Sequence, residues 1–86
     1  MKNLCSAIID AARFLELSGD DVIDPDAAVV ALEDMGATLQ SATQAERQAF
    51  ISACQSEATR LKMAGDSQAG EFVGGLPSAM GLSDEA

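Results

Sequence analysis

Between Asn3 and Leu17 the apolar residues Leu4, Cys5, Ile8, Ala11, Ala12 and Leu15 return at steps of three and four. That period places them on one face of a helix. Ile9 and Phe14 widen the face, so this helix is expected to be covered on more than one side. Ser18-Gly19 predicts its end, glycine being the residue that most easily turns left-handed after a last turn. Asp20-Asp21-Val22-Ile23 reads as a short connection, and Asp24-Pro25-Asp26 as the clearest start signal in the chain. Asp24 can accept from a free amide as N-cap, Pro25 fits the first helical position, and Asp26 suits the positive end of the helix dipole. The second helix should run to about Gln40 on an inner stripe of Ala28, Leu32, Met35, Gly36 and Leu39. Gly36 costs about 1 kcal/mol against alanine in mid-helix, which predicts a neighbouring backbone close to it.

Thr43-Gln44-Ala45-Glu46 matches a capping box, with two side chains satisfying two free amides reciprocally. It opens a third helix expected over about Gln44 to Ala64, with Phe50, Cys54, Ala58 (or Glu57) and Leu61 on one face and Ile51 beside them. Gly65 ends it, and Asp66 caps a short fourth helix predicted from Ser67 to about Gly74. Leu76 to Leu82 then reads as an irregular or single-turn apolar segment lying back over the bundle, and Ser83 to Ala86 as a frayed acidic end. No segment alternates as a strand would, and no repeat is visible. The predicted fold is all-α: one domain over residues 1–82, a three- to four-helix bundle with an apolar C-terminal segment.

Length changes this picture first. At 86 residues the chain buries a modest fraction of its surface, so a partner or a dimer would help its core. Cys5 and Cys54 are too few for a disulfide framework. Each falls on an apolar stripe, where a reduced thiol acts as a small hydrophobe. No apolar run is long enough to span a bilayer. The first residues imitate a signal peptide until Asp10, Arg13 and Glu16 interrupt them, which favours a cytoplasmic protein.

Charge narrows the function classes. Five Lys and Arg stand against fourteen Asp and Glu, a net charge of −9 that repels phosphates and argues against direct nucleic-acid binding. Without histidine there is no Ser-His-Asp or Cys-His catalysis, and two cysteines cannot complete a zinc site. An EF-hand reading of the aspartates fails, since a loop begun at Asp20 has Val22, Pro25 and Ala31 where ligands or glycine are needed. Gly65-Asp66-Ser67 is similar to the Asp-Ser of acyl carrier proteins, but Gln68 stands where that family has leucine and too little chain follows. A plain helix cap explains these residues better. The sequence thus points to no catalytic residue, no cofactor and no metal site.

What remains is an acidic stretch. Glu16, Asp20, Asp21, Asp24, Asp26, Glu33 and Asp34 fall between Arg13 and Arg47 with no Lys or Arg among them. Asp24 and Asp26 already have a role at a helix start; the others read either as a solvated face or as a docking surface for a basic partner. The apolar surface of helix one and the tail residues Phe72, Val73, Leu76, Met80 and Leu82 read either as core or as a contact, a homodimer included.

In size, charge, helical pattern and lack of catalytic residues the chain resembles the small acidic cytoplasmic immunity proteins that bacteria make against their own toxins. The resemblance is carried by Leu15-Glu16-Leu17-Ser18-Gly19-Asp20-Asp21, Asp24-Pro25-Asp26 and the Phe72 to Leu82 tail. It implies a non-catalytic inhibitor whose acidic face covers the basic active site of a toxin-like protein. Glu16, Asp20, Asp21, Glu33 and Asp34 are the expected partner-binding residues. The competing expectation is a structural or regulatory helical adaptor that self-associates through its apolar stripe.

Overall fold

The chain begins each of its last three helices with a side chain that satisfies a free amide. In the computed structural model, which describes residues 1–82, Asp24 Oδ2 accepts from the Ala27 amide at 3.0 Å and Asp66 Oδ1 from the Ala69 amide at 3.1 Å. Thr43 and Glu46 form the reciprocal box, at 3.1 Å and 2.8 Å. The helices are α1 (Lys2–Leu17), α2 (Pro25–Gln40), α3 (Gln44–Met63) and α4 (Ser67–Ala79). The described residues contain no strand. The all-α bundle expected from periodicity is therefore the observed architecture. The frayed end expected at residues 83–86 lies outside the described residues.

Leu4 and Ala11, expected on the inner stripe of α1, are exposed, and its buried residues are Cys5, Ile9 and Ala12. Two further expectations need correction. The fourth helix does not stop near Gly74 but continues through Gly75 and Pro77 to Ala79. Proline removes one amide donor, yet here it sits in the last turn and is itself buried. The end is then closed by a Schellman turn. The Leu82 amide donates to the Pro77 carbonyl at 2.8 Å and the Gly81 amide to Ser78 at 3.1 Å, with Gly81 at φ +76°. Burial of Leu76 and Met80 outweighs the local breakers. The second correction concerns Gly19, which is not left-handed. Ser18 leaves α1 in an extended conformation, and the Gly19 carbonyl accepts from the Val22 and Ile23 amides to form the turn. The left-handed glycine that does end a helix at an expected place is Gly65, at φ +92°.

The core is built by α1, α3 and α4. Cys5, Ile9 and Ala12 meet Phe50, Cys54, Ala58 and Leu61, and Val73, Leu76 and Met80 close over them. No polar or charged residue is buried among the described residues. The most extensive packing is between α3 and α4, and Gly70 makes it possible. A Cβ there would stand 3.0 Å from the Ala58 carbonyl oxygen, too close for backbone that cannot give way. α2 contributes less. Its buried residues are Ala28 and Gly36, while Leu32, Met35 and Leu39 are half-buried against the core. Gly36 does bring a neighbour close, since a Cβ on it would lie 3.4 Å from the Met80 Cβ and carbonyl oxygen. The C-terminal ends of α2 and α4 are pinned by Gln40 Nε2, which donates to the Met80 carbonyl at 2.9 Å.

Candidate functional site

The acidic residues reach the surface because α2 is peripheral and the 18–24 connection is exposed along most of its length. Glu16, Asp20, Asp21, Glu33 and Asp34 are all exposed. None forms an ion pair among the described residues. The three arginines, which might have neutralised them, are engaged elsewhere. Arg60 holds Glu57 through Nε–Oε1 and Nη2–Oε2 hydrogen bonds of 2.7 and 2.6 Å. Arg13 approaches the same carboxylate from α1, with Nη1 4.0 Å away and its buried Nε without a partner. The hydrogen bond from Arg60 holds the Glu57 carboxyl below its ordinary range, and the charges of Arg60 and Arg13 add to that. Arg47 donates from Nη1 to the Gln40 carbonyl at 3.3 Å.

Two of the five predicted residues share a site. Glu16 of α1 and Glu33 of α2 line a groove of about 560 Å³. Its apolar wall comes from Val29, Leu32 and Gly36 on one side and Phe72, Leu76 and Met80 on the other. No Lys or Arg lines it. Asp34 follows Glu33 by one residue, about 100° around the helix, and does not line the groove; nor do Asp20 and Asp21. The five carboxylates therefore divide into two at a groove and three elsewhere on the exposed surface, rather than a single cluster.

Gln40 and Phe72 complete the groove, and the sequence reading did not single them out as site residues. Phe72 was legible as an apolar residue on the last helix. The use of Gln40 was not, because an amide that pins one helix end to another has no periodic signature.

A second groove, of about 460 Å³, lies between α1 and α3. It mixes Lys2 and Arg60 with Asp10 and Glu57 over Cys5 and Ile9, so it carries charges of both signs. Both cysteines are free and buried. Burial pushes the Cys54 thiol up to about 12, with the neighbouring Cys5 adding to the effect, which makes it a poor nucleophile. No group of three or more metal-ligating side chains occurs among the described residues. No helix among them is long and apolar enough to cross a membrane.

No protein-family model matches the chain, no curated protein matches it in sequence, and no solved structure matches its fold.

Proposed function

We propose that this chain is a non-catalytic binding protein that receives a basic protein partner on the groove between α2 and α4. The observation that carries the reading is that Glu16 and Glu33 stand, exposed and unpaired, on a mainly apolar groove whose other polar residues, Gln40 and Ser78, are uncharged and which no Lys or Arg lines. Lysine and arginine suit such a surface, because their aliphatic stems cover apolar area while the charged heads reach carboxylates. Asp20, Asp21 and Asp34 add to the negative field around it and speed encounter with a basic surface. The role that accords with these features is that of a cytoplasmic immunity protein covering the basic active site of a bacterial toxin.

The test is affinity capture of the partner from lysate of the native cells, followed by association kinetics across a salt series. The double variant Glu16→Lys/Glu33→Lys should slow association by about tenfold or more and flatten its salt dependence. Asp20→Lys/Asp21→Lys should slow association with a smaller effect on dissociation. Kinetics unchanged in both variants would defeat the proposal.

A further inference from the structure

We infer that the outer face of α1 is a self-complementary interface through which two copies of this chain pair as an antiparallel dimer. Leu4, Ala7, Ala11 and Phe14 recur at steps of three, four and three, the spacing of a coiled-coil seam. All four are exposed, Leu4 at 65% and Phe14 at 57%, on the side of α1 away from Cys5, Ile9 and Ala12. Bulk sits at the two ends of this stripe and alanine in its middle. Turned antiparallel about its centre, the stripe reads the same from both copies, with Leu4 opposite Phe14 and Ala7 opposite Ala11. That is the condition an isologous two-fold contact must meet, and the alanines let the two backbones approach closely.

Charge favours the same arrangement. In a molecule of net −9, α1 is balanced, carrying Lys2 and Arg13 against Asp10 and Glu16. It has no acid in its first turn and no base in its last. An antiparallel pair therefore sets the positive end of one α1 beside the negative end of the other and the Asp20–Asp21 turn that follows it. A parallel pair would align like ends.

Covering a 16-residue helix with its own copy buries roughly 500 Å² per chain, the low end for specific contacts. The dimer is accordingly expected to dissociate at micromolar concentrations. Glu16 lies across α1 from the stripe, so the groove between α2 and α4 stays open in both copies, and this inference stands independently of the partner proposed for it.

Sedimentation equilibrium of the purified chain across the micromolar range tests the pairing. A concentration-dependent dimer that persists at high salt is expected, and Phe14→Glu should leave a monomer of unchanged helical circular dichroism. Leu4→Glu provides the second variant should Phe14→Glu perturb the fold. For the register, Ala7→Cys and Ala11→Cys chains are oxidised separately and mixed; cross-linking should be fastest in the mixture. A monomer at every concentration, leaving the stripe to some other protein, overturns the inference. So does a dimer indifferent to both glutamates, or faster cross-linking within each variant alone, which marks a parallel pair.

Discussion

The α3–α4 pair and α2 are held to the molecule by different physics. Between α3 and α4 the packing is continuous: Phe50, Leu61, Val73 and Leu76 are buried, and Gly70 admits the Ala58 carbonyl where a methyl group would collide. α2 buries an alanine and a glycine, keeps its larger apolar side chains half-exposed, and is pinned at its end by one amide. It also carries Asp26, Glu33 and Asp34 with no Lys or Arg. The comparison shows a division of labour, with stability concentrated in the neutral interior helices and unpaired charge on the helix that stability depends on least.

The largest loss of stability is expected from the core. Phe50→Ala, at a site 2% exposed, should cost about 3–5 kcal/mol in chemical denaturation and unfold the chain as a unit. Alkaline pH acts on the same region. Because the Cys54 thiol is raised to about 12 from an ordinary 9, the folded state holds its proton more tightly than the unfolded state. The contribution is complete below about pH 9 and is lost as pH climbs toward 12, up to about 4 kcal/mol in all. Cys54→Ala should remove that part of the alkaline dependence.

Changes on α2 should be smaller and more local. Gln40→Ala removes the hydrogen bond to Met80, and should cost about 1 kcal/mol while lowering hydrogen-exchange protection of α2 more than that of α3. Gly36→Ala should do the opposite. Its added methyl meets Met80 at an ordinary contact distance of 3.4 Å, so the gain in helix propensity, about 0.5–1 kcal/mol, is expected as a slightly higher melting temperature.

Much of this fold was legible in the sequence. Asp24-Pro25 and Thr43-Glu46 announce two helices because capping is a local event, and their hydrogen bonds are the ones observed. The extent of α4 was not legible, because Gly74, Gly75 and Pro77 each weaken a helix locally while the burial that overrides them is tertiary. The candidate site was legible as a list of acids and not as a shape. Periodicity cannot tell that Glu16 and Glu33, seventeen positions apart in sequence, share a groove while Asp34 does not. Nor can it say which side of a broadly apolar α1 faces solvent. Leu4 and Phe14 fit the core pattern as well as Cys5 and Ile9 do, and three-dimensional packing alone separates them.

The bend at Gly65 has a consequence for the order in which the molecule assembles. Its φ of +92° lets the Asp66 amide reach the Leu61 carbonyl at 2.9 Å, so α3 hands over to α4 within a few residues. The largest packed surface thus joins segments adjacent along the chain, where little entropy is lost in closing the intervening loop. This hairpin is the natural nucleus, and truncations within it should slow refolding, whereas truncations in α2 should chiefly hasten unfolding.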